Sequence, residues 1–427
     1  MKASELILFL QSKKQDATLI SLYGASWLDH QRSRYVDAVK AFIDLYGDRD
    51  VALFSAPGRS EISGNHTDHN GGLVLAAAID LDILVVASRR SDDKICVKSH
   101  GFKHEDRVTA ADTAPDPSAF GTSASLLRGL CHAFLSRGYA VCGFDAYTTS
   151  SVKKGAGVSS SAAFEVAMAT VINHFACEGR VSPPEIAELS QIAERDYFGK
   201  PCGLMDQTAS SVGGFSFIDF GEEKAKIEEI PFDLARVGYS LCLTNTGGSH
   251  ADLTDDYAAV PTEMKAVASY FGHERLRPLS LASLWREAPS LRKTVGDRAL
   301  LRAYHYIKEN ERVAAQAAAL REGRFSTFLS LVRESGRSSY EYLQNVYAPK
   351  EPKEQGIAVA LALSEELLSP LGDRAACRLH GGGFAGTVQA FVPTSFTERY
   401  RAGMEAIFGP DSCTVLSVRK EGALRIL

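Results

Sequence analysis

Lys153-Lys154-Gly155-Ala156-Gly157-Val158-Ser159-Ser160-Ser161-Ala162-Ala163 is the run on which the reading of this chain turns. A strand-like segment, Gly143 to Thr149, leads into it. Small and apolar residues at helical spacing, Ser160 to about Cys177, lead out. Glycine lets a backbone approach a ligand closely and take angles that other residues avoid. Free N–H groups at a helix start, with the positive end of its dipole, favour bound phosphate. Three serines add hydroxyls suited to phosphate or to Mg²⁺. The run is not G-x-x-x-x-G-K-S/T, so it is no Walker-type loop, and it lacks the third glycine of a dinucleotide fingerprint. A flexible loop ending in a serine helix cap fits the same residues.

Two other segments weigh against that plainer alternative. Gly381-Gly382-Gly383-Phe384-Ala385-Gly386 puts four glycines in six residues, between the strand candidates Cys377–Leu379 and Thr387–Phe391. A tight turn needs only two of them. Residues 56–72, from Ala56-Pro57-Gly58-Arg59 through Asn65-His66-Thr67-Asp68-His69 to Gly72, pack Arg, Asn, Asp and two His into a turn-rich stretch. Such groups suit a ligand bearing many hydroxyls. His66, Asp68 and His69 also allow a metal site, though no third histidine cluster supports one, and a self-bonded Asx network explains them equally simply.

The bulk properties narrow the class. The 427 residues exceed what one hydrophobic core sustains, roughly 250–300, so two domains of about 200 are expected. A net charge of −5 has the wrong sign for a nucleic-acid binder. The pairs Arg89-Arg90 and Lys153-Lys154 read as solvated surface. Eight scattered cysteines, none in C-x-x-C spacing, point to reduced, buried thiols rather than zinc or disulfides. No segment approaches the ~20 apolar residues of a membrane span, and no small-residue cleavage site follows the short apolar run Leu6–Leu10. A cytoplasmic protein with small-molecule partners, no nucleic acid and no membrane is expected, as a monomer or weak homo-oligomer.

Periodicity sets out the elements. Residues 1–48 read as two helices separated around Gly24, a helical leader. Val51–Phe54 reads as a short strand ended by a Pro57-Gly58 turn, and Val74–Ala87 as strands broken by Asp80 and Asp82. Ile95–Lys98 continues the β-rich stretch. Helices are expected over 118–137 and from Pro183-Pro184, and strands over Phe215–Phe220 and Val237–Asn245. A mostly helical region spans 252–362, then β/α alternation from Cys377. The reading is α+β, with two lobes of mixed sheets and helices and a cleft between them. Its division is a leader at 1–48, an N-terminal domain at 49–215 and a C-terminal domain at 216–427.

In this order, the three segments resemble the motifs of the GHMP small-molecule kinases, and of the galactokinases in particular. Residues 58–69 resemble the signature G-R-x-N-x-I-G-E-H-x-D-Y. Residues 155–162 resemble the G-x-G-x-S-S-S-A phosphate loop, and 381–386 the C-terminal glycine loop. A fourth match is the most specific: Pro201-Cys202-Gly203-Leu204-Met205-Asp206-Gln207 follows C-G-I-M-D-Q. The resemblance runs from about residue 50 to the C-terminus. It implies the two-lobed GHMP fold and transfer of the ATP γ-phosphate to the anomeric hydroxyl of D-galactose. Asp206 would face that hydroxyl and Arg59 would stabilise charge beside it. Asn65, His66, Thr67, Asp68, Gly203 and Tyr257 would line the sugar site. Gly155, Ala156, Gly157, Val158, Ser159, Ser160 and Ser161 would hold the triphosphate, with Ser99 near the nucleotide. Ser161 and Glu194 would hold Mg²⁺.

The chain departs from the pattern at several positions. Asn65 stands where the family carries the glutamate that helps hold the far end of the sugar, and His69 where it carries tyrosine. Ser60-Glu61 replaces Val-Asn, and Ala385 replaces a glycine. A related sugar such as an arabinose, a hexosamine or a uronic acid is therefore an open alternative. So is a sugar- and ATP-binding sensor, although a sensor tolerates loss of Asp206 and of the loop serines, and this chain keeps both.

Overall fold

A computed structural model describes residues 1–152, 157–200, 202–248 and 253–427. The leader forms α1 (Ala3–Gln11), α2 (Asp16–Tyr23) and α3 (Leu28–Tyr46). The expected first helix is split in two because Lys13 takes a positive φ of 64° in the polar stretch after α1. Next come β1 (Ala52–Ser63), β2 (Leu73–Arg89), β3 (Lys94–Ser99), β4 (Asp106–Thr109), α4 (Ser123–Ser136) and β5 (Phe144–Ser150). The chain continues with α5 (Ser160–Cys177), α6 (Pro183–Ile192), α7 (Met205–Val212), β6 (Phe215–Asp219), β7 (Lys226–Ile230) and β8 (Tyr239–Asn245). Four helices follow: α8 (Thr254–Tyr270), α9 (Leu281–Thr294), α10 (Asp297–Arg321) and α11 (Phe325–Ser338). The last elements are α12 (Gly356–Leu368), β9 (Ala376–His380), β10 (Thr387–Pro393), α13 (Thr397–Phe408), β11 (Cys413–Leu416) and β12 (Leu424–Arg425).

Two expectations fail along β1 and β2. Pro57-Gly58 is no turn: β1 runs through it, and the irregularity appears as a register shift against β2 between Pro57 and Arg59. Asp80 and Asp82 do not break β2, because both are held from within the sheet's surroundings. Asp80 accepts the Ser417 N–H at 3.0 Å, and Asp82 has the ionic partners described below.

β2 is the spine of the larger sheet, ordered β12-β1-β2-β5-β3-β4. It pairs with β1 along one edge; on the other, Ile83–Arg89 pair with β5 and Leu73–Ala77 pair with β6, which in turn pairs with β7. β3 and β5 are parallel. Residue 215 opens β6, so this sheet takes strands from both sides of the expected 215/216 division. The smaller sheet, β11-β8-β10-β9, is antiparallel.

Alternation along β1, β2 and β5 sends side chains to two cores. Phe54, Val85, Ala87 and Ala146 pack under α4, α5 and α6, whereas Leu53, Leu84, Val86 and Tyr147 pack under α1 and α3. The leader is therefore the second cover of a sheet apolar on both faces. α12 and α13 pack on the smaller sheet. A further core joins residues of β2, β6, α10 and α11 to β8, β9, β10 and β11 between the two sheets. All eight cysteines are free thiols.

One buried charge ties the leader down. The Asp82 carboxylate, fully buried, accepts from Arg34 Nη1 at 2.6 Å, from the Tyr23 hydroxyl at 2.6 Å and from Ser55, with Arg419 at 3.8 Å. Burial pushes its pKa up, but the two guanidiniums outweigh this and hold it below the ordinary value. Asp82→Ala should lower unfolding free energy by about 3–5 kcal/mol, since it leaves buried cations unpaired. Denaturant unfolding measures this, and a loss under about 1 kcal/mol would mean the network is not what holds the leader.

Candidate active site

Arg59, almost fully buried on β1, sits at the register shift, where its N–H leaves the ladder and donates to Val158 O at 3.2 Å. Irregularities of this kind re-aim side chains beside functional sites. Here the guanidinium meets Asp206 in the first turn of α7. Nε reaches Oδ1 at 2.5 Å and Nη2 reaches Oδ2 at 2.8 Å, a two-pronged pair, while Nη1 donates to Gly157 O. The hydroxyl of Ser159 donates to Asp206 Oδ2. Burial alone would raise the Asp206 pKa; the Arg59 charge and hydrogen bonds, with Ser159 and Lys200, hold it below the ordinary aspartate value.

The loop is strained where it meets this pair. Ser159 has φ 54° and ψ 66°, and precedes α5 without capping it, its hydroxyl being turned to Asp206. Gly157 has φ +72°, and a Cβ there would lie 2.8 Å from Thr387 Oγ1 and 3.2 Å from His380 Nδ1. Only glycine fits, and the loop thereby touches the ends of β9 and β10. Ser160 and Ser161 open α5. The expected ligands Gly155 and Ala156 lie outside the described residues.

A second acidic cluster begins at Ser161, whose hydroxyl donates to Glu194 Oε1 at 2.9 Å. Glu194 lies on a π-helical turn, Ala193–Tyr197, an irregularity frequent at functional sites. Lys200 Nζ also reaches Oε1, at 2.7 Å, and Gln207 Nε2 donates to Oε2 at 2.7 Å and to Glu165 Oε2 at 3.2 Å. The sequence reading missed Glu165, Lys200 and Gln207. A signal existed: Glu165 follows Ser161 by four residues and shares its helix face. Burial and the nearby Glu194 push the Glu165 pKa well up.

A cavity of about 920 Å³ opens beside these clusters, walled by Glu61, Asn65, His66, Asp68, Gly203 and Tyr257 among others. His66 Nε2–H donates to Gly382 O at 2.9 Å, and burial lowers its pKa to about 4, so it is neutral at pH 7. Asp68 is half-buried, and its partial desolvation favours the neutral form, but His69 donates to Oδ1 at 3.0 Å and brings its pKa down to about 2. Its other oxygen lies 2.2 Å from where a Gly203 Cβ would be, which fixes glycine there. Tyr257 donates to Gly383 O at 2.8 Å and packs edge-on against Phe384. The second glycine cluster thus walls this cavity.

Three of the expected contact residues are bonded to protein groups. Thr67 spends its hydroxyl on Gly64 O and Leu73 O, at 2.8 and 2.7 Å, as a brace of the β1–β2 connection. Ser99 ends β3, its hydroxyl accepting from the Thr148 hydroxyl at 3.0 Å. Asn65 is fully buried with its amide engaged by protein groups on every side.

Matches to known proteins tell which chemistry this geometry serves. Residues 40–89 match the family model "Galactokinase galactose-binding signature", and residues 123–214 match "GHMP kinases N terminal domain". With the two-sheet fold and the serine-lined helix start, these make the chain a GHMP-type small-molecule kinase. It is 30% identical to the galactokinase of Streptomyces coelicolor over 371 residues, 86% of this chain and 91% of that one. Against the Homo sapiens galactokinase it is 30% identical over 395 residues, 91% and 95% of the two chains. The chain belongs to the galactokinase family and is an ATP-dependent sugar kinase. The crystal structure of Lactococcus lactis galactokinase complexed with galactose has the same fold, with a TM-score of 0.76 at 22% identity, over 90% of this chain and 98% of that one.

Asp206→Asn should lower kcat by about 10³-fold or more while nucleotide affinity is kept; activity within tenfold of wild type would remove Asp206 from the chemistry. Because its pKa is depressed, activity carried by ionised Asp206 should fall only as pH drops below the ordinary aspartate value of 3.8. Arg59→Ala removes the charge that depresses it, so the acid limb of the residual rate should move to higher pH. An unmoved limb would mean that another group sets it.

Proposed function

We propose that this kinase phosphorylates D-galactose at its anomeric hydroxyl, giving α-D-galactose 1-phosphate and ADP. The observation that carries the reading is the two-pronged Arg59–Asp206 pair, bonded by Ser159 of the serine loop, while Glu61 on the strand of Arg59 and Leu204 just before the helix of Asp206 line the hydroxyl-suited cavity. The named relatives, two galactokinases and a galactose complex, favour galactose over other sugars.

Sugar hydroxyls would be held by His66, Asp68, Gly203 and Tyr257. The triphosphate would lie on the amides around Gly157–Ser161, at the positive end of α5. The anomeric oxygen attacks the γ-phosphorus as its bond to the β–γ bridging oxygen breaks; ADP leaves, and the hydroxyl proton passes to Asp206 or onward to solvent. Arg59 orients Asp206 and lends positive charge beside the transferring group. Phosphoryl transfer asks chiefly for such alignment and charge neutralisation.

Mg²⁺ fits the Ser161–Glu194 pair. Both offer hard oxygens 2.9 Å apart, and the same carboxylate oxygen already holds a cation, the Lys200 ammonium. Among the described residues no group of three or more His, Cys, Asp and Glu could hold a metal unaided. The ion would be shared with ATP phosphates, as Mg²⁺ commonly is. When bound it would neutralise phosphate charge. The free thiols support a reducing, cytoplasmic setting, and among the described residues no helix is long and apolar enough to cross a membrane.

Sugar-dependent ADP release with Mg²⁺ and ATP should be strong on galactose and weak on N-acetylgalactosamine, arabinose, glucose and galacturonate. Turnover on another of these sugars moves the substrate but keeps the chemistry. Tight sugar binding without turnover would instead support the sensor reading. Glu194→Gln should raise the Mg²⁺ concentration for half-maximal rate by about tenfold or more; an unchanged Mg²⁺ requirement would remove Glu194 from the metal.

A further inference from the structure

Asn65 stands where the family pattern has glutamate, and Glu61, four residues earlier on β1, stands where it has asparagine. The structure shows these two side chains bonded to each other, Asn65 Nδ2 donating to Glu61 Oε1 at 3.0 Å. A side-chain amide has two N–H groups and two lone pairs. Asn65 spends all four. Nδ2 also donates to Gly381 O at 2.6 Å, and Oδ1 accepts from Asn345 Nδ2 at 2.7 Å and from Ser339 Oγ at 3.4 Å. Nothing of Asn65 is left for a ligand.

Glu61 presents the opposite picture. Its Oε1 takes Asn65 and, at 3.4 Å, the fully buried Arg378. Its Oε2 accepts no hydrogen bond from the described residues, and it is not among the buried polar atoms closed off without a partner. Glu61 lines the same cavity as His66, Asp68 and Gly203. A carboxylate buried to this degree, with one oxygen fixed and the other left to a cavity, is built to receive a donor from what enters.

We propose that Glu61 is the sugar-facing carboxylate of this enzyme: its Oε2 accepts a hydrogen bond from a hydroxyl of the bound sugar, and Asn65 is the amide that positions it. Relative to the family motif, the amide and the carboxylate have exchanged places. This rests on the reading of a sugar as phosphoryl acceptor. It makes Glu61 a specificity-determining residue that the motif comparison marks only as a departure.

The test measures galactose affinity by calorimetry and KM by ADP release, for wild type and variants. Glu61→Gln keeps size and loses charge, and should weaken galactose binding about 10- to 100-fold, as loss of a charged acceptor does, with the KM for ATP within about twofold. The exchange variant, Glu61→Asn with Asn65→Glu, should bind galactose within about tenfold of wild type, whereas Asn65→Glu alone, which buries two facing carboxylates, should lose it. Galactose affinity of a folded Glu61→Gln within threefold of wild type overturns the proposal. Where Glu61→Gln does not fold, a folded exchange variant that has lost galactose does so. Should neither fold, a structure of the wild type with galactose decides, by whether Oε2 lies within about 3.2 Å of a hydroxyl oxygen. Wild type that ignores galactose sinks the substrate reading alone, and the same comparison is then made on whichever sugar of the panel it phosphorylates.

Discussion

Arg59 and Asp206 are 147 residues apart in sequence and form one unit in the fold. A guanidinium and a carboxylate taken out of water each carry a desolvation cost of several kcal/mol, recovered only with close geometry and further hydrogen bonds. Much around the site supplies those bonds. The Arg59 N–H and guanidinium both reach the loop, through Val158 O and Gly157 O, and Ser159 turns its hydroxyl to the carboxylate rather than to its own helix. The left-handed Ser159 costs about 1–3 kcal/mol on its own. The pair therefore places β1, α7 and the loop before α5 in one arrangement, with ligand-facing groups set before a ligand arrives.

A second buried charge acts on the same loop from behind. Arg34 of α3 bonds Asp82 and also the carbonyl of Thr149, near the end of β5, while Ser151 bonds Asp82. Thr149 and Ser151 lie on the stretch of chain that runs into the phosphate loop. The leader thus has two roles: its apolar side chains cover the back of the larger sheet, and Arg34 anchors the approach to the loop. No motif of the leader discloses this.

What the sequence disclosed divides along physical lines. The loop, the glycine cluster and the segment around Asp206 were legible because each needs particular residues: glycine at Gly157 and Gly203, where a Cβ collides, and carboxylates at Asp206 and Glu194. Strand limits were misread where tertiary contacts override local signals. Pro57-Gly58 reads as a turn yet runs within β1, and Asp82 reads as a strand breaker yet sits paired inside β2. Thr67 and Asn65 were read as sugar contacts because a motif gives positions, not directions of side chains. Gln207 escaped notice because a buried carboxyl–amide contact between two helices leaves no spacing along the chain, whereas Glu165 was passed over although it follows Ser161 by four residues on one helix face.

The depressed pKa of Asp206 also bears on how the hydroxyl is activated. A strong general base has a pKa near working pH, and a carboxylate clamped by Arg59 has been moved the other way. If full proton removal before attack limited the rate, the Arg59 clamp would work against catalysis. Phosphoryl transfer through a loose transition state makes no such demand, because little bond to the nucleophile has formed when the barrier is crossed, and the hydroxyl becomes acidic only afterwards. What the step needs early is an oxygen aimed at phosphorus and a nearby acceptor that is ionised at every working pH. A clamped, low-pKa aspartate provides both, so the arginine that weakens Asp206 as a base is the same group that fits it to align the sugar.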